Sequence, residues 1–503
     1  MRKEQGWLLL IAACIALSAC GGGGGGGSSQ TPNGGTPNSG TPSAGTPTTG
    51  APDNGTPPTT NPAPDPSPST PGAPNPPPTS ATATKSAKRG IAYDLKDPTD
   101  LAALSSGVSW WYNYTLKPAS TVPTDYRDLY GMDYIPMLWN GNFDDAAVEA
   151  FLKANSSIKY LLLMNEPNLL DQSNLTPTQA AQLWPRYEAV AAHTGVKLVG
   201  PAMTYGTQPG FSDPVVWLDA FYAAYRANNS GRDPRIDYLA YHWYDYGLND
   251  QLQRLTKYGK PFWVTEFANW HSAKDGAQID SVAKQKVQMT EMVAICENRG
   301  DVFRYSWFTG RWDDEANRHT SLLGNSGVLT ELGKHYLAQP YWAAVWVATP
   351  QSQNASFNQQ TLRHIVRSGA NGTTTRIKLS NALGTQAVAV SNVHIAKRTQ
   401  ASAIDVSSDR ALTFGGATSI TLPAGAEIYS DKVSFTVQAQ SDIAVSLYLP
   451  NAATVSVSQS GDGTETTYVS TGNESGNADI SVVSQTQSQY LLSDVEVLVT
   501  PVQ

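Results

Sequence analysis

Five apolar residues in a row, Tyr160 to Met164, run straight into Asn165-Glu-Pro167. A strand that is apolar at every position has no face for water, so it belongs in a sheet covered on both sides, typically a parallel one. Pro167 has no N–H to give to a ladder, so the strand stops there with the Glu166 carboxylate at its carboxyl end. The segment Pro261-Phe-Trp-Val-Thr-Glu-Phe267 repeats the design and again ends on a carboxylate, Glu266.

Eight strand-like segments follow this grammar: Arg89–Asp94, Ser109–Tyr114, Tyr134–Trp139, Tyr160–Glu166, Lys197–Thr204, Ile236–Tyr244, Pro261–Phe267 and Val302–Phe308. Helical stretches lie between them. Thr176-Pro177 opens one that runs to Gly195, with Thr as cap and Pro in the first turn. Asp213-Pro214 opens another, and Gln278 to Asn298 reads as a third. Strand and helix alternating eight times predict a (β/α)8 TIM barrel over 89–340, with an outer ring of helices reduced where connections are short, as between Asp94 and Ser109. An open doubly wound sheet is the competing arrangement, but no glycine-rich phosphate turn follows the first strand.

The chain opens with Arg2 and Lys3, an apolar stretch from Trp7 to Leu17, and Leu17-Ser-Ala-Cys20. This is the pattern of a cleaved signal peptide over 1–19, too short to stay as a membrane-spanning helix. With cysteine directly after Leu-Ser-Ala it resembles a bacterial lipobox. That resemblance implies lipidation of Cys20 and, with Gly21 next, an outer-membrane lipoprotein at the cell surface or in the periplasm; ordinary cleavage would give a secreted protein instead. Residues 20–88 are Gly, Pro, Thr, Ser and Asn with almost no large apolar side chain, a composition that cannot offset its own ordering entropy and reads as a tether. Of the three cysteines, Cys14 leaves with the leader and Cys20 is the lipidation candidate, so Cys296 has no partner for a disulfide and reads as a small buried hydrophobe. The net charge of -8, without a basic stripe, speaks against a nucleic-acid partner, and a monomer is expected.

Two carboxylates at the mouths of separate barrel strands suit the breaking of a glycosidic bond, which needs a proton on the leaving oxygen and support for an oxocarbenium-like centre. One such glutamate before a proline could simply cap the next helix; two on the expected strands favour catalysis. Arg89-Gly-Ile-Ala-Tyr93, Trp110-Trp-Tyr-Asn113, Pro136-Met-Leu-Trp139, Asn165-Glu-Pro-Asn168, His242-Trp-Tyr244, Thr265-Glu-Phe267 and Tyr305-Ser-Trp-Phe308, in this order, resemble glycoside hydrolase family 128 of clan A, whose members cut β-1,3-glucan. The resemblance implies endo-hydrolysis with retention, Glu166 as acid/base and Glu266 as nucleophile. It implies Asn165 on the hydroxyl beside the reacting carbon and Tyr244 holding the Glu266 carboxylate. His242, Tyr112, Asn113, Trp139, Trp243 and Trp307 are the further substrate-binding candidates, with Trp139 and Trp307 as sugar platforms. Trp110, Trp111, Trp243 and Trp270 suit core or rim packing equally well. Glu166 is expected to be kept protonated by apolar surroundings or by a charged Glu266. No His-Glu-x-x-His spacing occurs, so neither metal nor cofactor is expected. Two alternatives stay open: another β-glycan (β-1,6- or mixed-linkage glucan, or chitosan) and a surface glycan-binding lipoprotein without turnover.

From Trp342 the helical period vanishes. Short alternating runs appear at Leu362–Ser368, Arg376–Ser380, Val388–Ala396, Ser419–Leu422, Val433–Val437, Ile443–Leu449 and Tyr490–Leu498, which predict a β-sandwich or jelly roll over 341–503. Thr361-Leu-Arg-His-Ile-Val-Arg367, Arg376-Ile-Lys-Leu-Ser-Asn-Ala-Leu-Gly384, Ala411-Leu-Thr-Phe-Gly-Gly416 and Leu447-Tyr-Leu-Pro450 resemble the β-domain that precedes many SGNH esterase cores. Gly461-Asp-Gly463 lacks the serine of that nucleophile motif, so the resemblance carries the sandwich and not the esterase. The domain is an accessory glycan binder or a part that solubilises and positions the barrel.

Overall fold

The computed structural model describes residues 84–460 and 465–501. The leader, Cys20, the greater part of the 20–88 tract and Gly461-Asp-Gly463 lie outside the described residues.

The first half is a closed ring of parallel strands: β1 (Arg89–Ala92), β2 (Trp110–Tyr112), β3 (Asp133–Tyr134), β4 (Met137–Leu138), β5 (Tyr160–Leu163), β6 (Lys197–Met203), β7 (Tyr238–Trp243), β8 (Phe262–Phe267) and β9 (Val302–Trp307). Pairing of β1 with both β2 and β9 closes one side. On the other side β3 pairs with β2 and β4 with β5. Pro136 separates those two short segments because it has no N–H to donate. The ladder still runs through: Ile135 N–H donates to Trp111 (2.9 Å), and Leu162 N–H donates to the Pro136 carbonyl (2.9 Å). β3 and β4 are therefore halves of one stave, and the ring is the predicted (β/α)8 barrel.

Alternation along the staves builds two cores. Leu162, Val199, Ala240 and Trp263 point inward with Trp110, Tyr112 and Met137. Leu161, Leu163, Leu198, Leu239, Tyr241 and Val264 point outward under the helices. That double burial is why the Tyr160–Met164 run is continuous. The helices begin at their caps: Thr176 and Gln179 form a capping box before Pro177–Thr194, and Asp213 caps Pro214–Asn228. The third starts later than the expected Gln278, at Val282, because the Ser281 side chain caps Lys284 N–H and fixes the first turn there. The outer ring is thin early on, with only Pro98–Leu104 between β1 and β2 and Tyr126–Tyr130 between β2 and β3. Cys296 is buried in the outer core, where burial pushes its thiol pKa up.

Arg89, fully buried, staples the first stave to the end of the barrel: it donates to Tyr305 Oη (2.9 Å) and to the carbonyls of Tyr336 (3.0 Å) and Gln339 (2.8 Å). The segment just before β1 is fastened as well, since Lys85 Nζ binds the carbonyls of Ser105 (2.7 Å) and Val108 (2.8 Å).

From Tyr341 the strands are antiparallel. Tyr341–Val347 pairs with Leu492–Val499, which pairs with Gly372–Ser380; in a second sheet Gln360–Arg367 pairs with Asp442–Leu449 and with Thr466–Thr471. Ile377, Val495 and Val497 of the first sheet meet Leu362, Val366, Val445 and Leu447 of the second in one core, which makes the sandwich. Arg376 joins it to the barrel, lying over Trp342 (4.3 Å) and Tyr429 (4.1 Å) and donating to Glu496 (2.7 Å) and to the Glu297 carbonyl (3.4 Å). The cleft beside it, about 630 Å³, adjoins Asp301 at the start of β9. Its Asp301 is paired with Arg299 (2.6 Å), and it lies at the other end of the barrel from the glutamates.

Candidate active site

β5 ends at Leu163, short of the expected Glu166, because the backbone turns left-handed at Met164 (φ 54°) and Glu166 (φ 46°). For residues with a Cβ this costs about 1–2 kcal/mol each. Neighbouring staves hold it in place: Met164 N–H donates to Leu138 (3.0 Å), Asn165 N–H to Trp139 (2.9 Å) and Glu166 N–H to Ala202 (2.9 Å). Gly200 lets β6 come this close, since a Cβ there would sit 2.6 Å from the Leu163 carbonyl oxygen. The outcome is a carboxylate lifted off the strand end and aimed across the barrel mouth.

Glu266 reaches the same place from β8, and its neighbour in register on β7 is His242. All three side chains are buried. His242 Nδ1 lies 2.8 Å from Glu166 Oε1 and 3.6 Å from Glu266 Oε2, and one donor atom from each of the three lies within 4.8 Å of the others. Tyr112 Oη donates to Glu266 Oε1 (2.9 Å), while Tyr244 Oη donates to Oε2. Asn165 donates to Gln172 (3.1 Å) and keeps its own Oδ1 buried without a partner.

Burial pushes the Glu266 pKa up and the Glu166 charge adds to this, while His242 and the two tyrosines pull it back; the net direction is upward. Burial opposes charge on His242, but Glu266 and Glu166 together outweigh it, and its pKa is raised. Burial and the field of Glu266 hold the Tyr112 and Tyr244 phenols protonated. The trio could ligate a cation, yet His242 Nδ1 is bonded to Glu166 and both Glu266 oxygens hold tyrosine protons. As it stands the set is an acid–base cluster.

Not every candidate joins it. Trp139 lines the inner core, on the side of the cluster. Asn113 is a loop brace, accepting from Thr115 N–H (3.2 Å) and Tyr134 Oη and donating to Asp94 (3.2 Å). Trp243 faces outward, stacked on Tyr241 (6.1 Å) and against Tyr205 (5.7 Å). Trp307 is no sugar platform: it is fully buried under the helices, against Phe267 (5.2 Å), with Nε1 donating to Thr320 (2.8 Å). Alternation along β9 decides this, placing Tyr305 and Trp307 outside and Phe308 inside. The aromatic wall is instead Trp270, which stacks on Tyr244 (3.9 Å, 14°) and adjoins Phe308 (5.7 Å) and Trp312 (6.0 Å). Sequence reasoning left Trp270 undecided and passed over Trp312. Their signal was position alone, in the loops after the last two staves, where barrel enzymes carry their sites.

The family model of the glycosyl hydrolase catalytic core matches residues 90–336. A GH128 (subgroup II) endo-β-1,3-glucanase from Pseudomonas viridiflava is 60% identical, with a TM-score of 0.51, over 51% of this chain and 100% of that one. Its counterpart from Sorangium cellulosum is 39% identical, with a TM-score of 0.43, over 50% of this chain and 99% of that one. Alkali-sensitive linkage protein 1 of Schizosaccharomyces pombe is 29% identical over 266 residues, which are 50% of this chain and 45% of that protein. With a relative 60% identical across the whole of its own length, the chain belongs to glycoside hydrolase family 128 and is a glycoside hydrolase.

Proposed function

We propose that the chain cuts β-1,3-glucan internally, with retention of configuration, by double displacement. The observation that carries this is the closeness of the two carboxylates. Oxygens of Glu166 and Glu266 lie inside a 4.8 Å cluster, in keeping with the separation of about 5–5.5 Å in retaining enzymes rather than the roughly 6.5–9.5 Å that leaves space for an inverting enzyme's water. The Pseudomonas viridiflava relative, an endo-β-1,3-glucanase, supports the bond and the mode.

Glu166 protonates the leaving oxygen while Glu266 attacks the anomeric carbon; Glu166 then takes a proton from water, which releases the sugar from Glu266. Tyr112 and Tyr244 hold the Glu266 oxygens, so the carboxylate is oriented before substrate arrives. His242 meets the charge that appears on Glu166 when its proton leaves. Asn165 Oδ1, buried and without a partner, is the acceptor for the hydroxyl beside the reacting carbon. Through Cys20 and the 20–88 tract the enzyme would be lipid-anchored on a tether long enough to reach an insoluble polymer; labelled fatty acid retained by wild type and lost in Cys20→Ala tests this.

The main test is release of reducing ends from laminarin and curdlan, with proton NMR of the first product. A β-anomer appearing first and losses above about 10³-fold in Glu166→Gln and Glu266→Gln are expected. An α-anomer first, or undiminished turnover by Glu266→Gln, would overturn the mechanism. Faster hydrolysis of β-1,6-glucan, mixed-linkage glucan or chitosan would overturn the substrate.

A further inference from the structure

Tyr114 carries two unfavourable features at once. Its backbone is left-handed (φ 65°), a conformation that bulky side chains avoid. Its hydroxyl is buried and makes no hydrogen bond of acceptable geometry. Both persist because the segment is pinned on either side: the Asn113 side chain holds Thr115 N–H (3.2 Å), the Thr115 carbonyl accepts from Met137 N–H (2.9 Å), and Tyr134 Oη donates to the same carbonyl (2.7 Å). A strained residue that its surroundings force to stay strained is a mark of function.

What the strain achieves is placement. Tyr114 follows β2, and its ring meets that of Tyr112 edge-on (4.8 Å). The hydroxyl lies within reach of the Glu266 carboxylate and of the Tyr112 hydroxyl, with no hydrogen bond of good geometry to either, and in the field of Glu266 and more weakly of Glu166. Glu266 is thus faced by Tyr112 and Tyr114 from β2, Glu166 from β5, and His242 and Tyr244 from β7. Tyr112 and Tyr244 occupy one oxygen each. When one of those oxygens bonds to the sugar, its tyrosine loses an acceptor; when the sugar leaves, the charge returns to a buried carboxylate.

We infer that Tyr114 is a positioning residue for Glu266, a third phenol whose free hydroxyl stabilises the carboxylate whenever it is ionised in the catalytic cycle. The inference rests on the proposed role of Glu266. Because a phenol donor favours the ionised form, removing it raises the pH at which Glu266 loses its proton.

The test is the pH profile of kcat/KM on laminarin for wild type and Tyr114→Phe, with thermal melting as the control for folding. The acid limb of Tyr114→Phe is expected to move to higher pH, with about a tenfold loss on that limb and recovery towards wild type as pH rises. Should Tyr114→Phe not fold, 3-fluorotyrosine at position 114 keeps the shape and makes the phenol a stronger donor, which should move the acid limb to lower pH. A profile that superimposes on wild type, or drops equally at every pH, overturns the role of Tyr114 alone. A wild type that hydrolyses no β-glucan overturns the parent reading, and this role with it.

Discussion

Each half of the molecule buries a histidine completely, and the two titrate in opposite directions. His242, in the barrel, is raised because Glu266 and Glu166 outweigh the burial that opposes its charge. His364, on Gln360–Arg367 of the sandwich, touches Thr467 Oγ1 (2.8 Å) and Gln489 Oε1 (3.1 Å), both neutral, and burial pushes it down to about 4. Two buried arginines repeat the contrast. Arg89 has Glu297 at 3.8 Å and is raised despite burial, while Arg363 binds only Ser446 and backbone carbonyls and is lowered by burial. Burial alone does not set the charge state of a group. In these two comparisons the barrel's group has an ionised partner and the sandwich's has neutral ones, although the sandwich also holds a buried ion pair, Arg376–Glu496 (2.7 Å).

The signs follow. A histidine raised on folding contributes stability that is whole below its unfolded value, about 6.5, and is lost as pH climbs through the folded value. One lowered on folding contributes stability present above about 6.5 and lost as pH falls towards the folded value, here about 4. The barrel should weaken through His242 on the alkaline side, and the sandwich through His364 on the acid side.

The largest effect comes from breaking the barrel's half of the contrast. His242→Asn removes the cation between the two carboxylates, and kcat/KM on laminarin should fall about 10²–10³-fold, the usual loss for one preorganised charge partner. Its melting curves should also lose part of their alkaline decline. Near-wild-type activity would mean that the two glutamates manage their protons without help from β7.

How much of this was legible beforehand depends on what each side chain's address requires. The staves were readable because a strand covered on both faces must be apolar throughout, and Glu166 and Glu266 stand where two such runs stop. Trp243 and Trp307 misled because nearness to a strand end does not say which face a side chain takes; along β9 the alternation puts Phe308 inside. Trp270 and Trp312 sit in loops, which have no period to read. The left-handed turns at Met164, Glu166 and Tyr114 are silent in sequence, since glycine, the usual marker of such backbone, is absent there. In the sandwich, Thr349–Phe357 and Val482–Thr486 were passed over because they pair through backbone bonds while exposing most of their polar side chains, so no alternation betrays them.

A middle-sized effect sharpens the sandwich's half. His364→Leu removes a group that must stay neutral, and Thr467 and Gln489 still bond to each other (3.0 Å) once it is gone. Between pH 6.5 and 4 the wild-type sandwich should lose about 3 kcal/mol through this histidine, and the variant should not, as read from urea midpoints across that range. Turnover of laminarin should be unchanged near neutral pH. An acid slope as steep as that of wild type would place the sandwich's acid sensitivity elsewhere.

The smallest expected effect compares one aromatic contact in each half. Trp270 lies flat on Tyr244 at 3.9 Å, and Tyr244 holds Glu266, so loss of this ring should reach the chemistry. Tyr490 meets Phe357 edge-on at 4.8 Å, with His364 as its only other ring contact among the described residues (6.4 Å). Such a pair is worth about 0.5–1.5 kcal/mol beyond the area it buries. Trp270→Leu should therefore lower kcat/KM about threefold to tenfold, mostly in kcat, because a looser Tyr244 misaligns the carboxylate rather than weakening the grip on distant sugars. Tyr490→Leu should lower the unfolding midpoint and leave kcat/KM where it was. If the two variants behave alike, with both losing stability and neither losing turnover, Trp270 is wall and nothing more, and the orientation of Glu266 rests on the tyrosine hydroxyls alone.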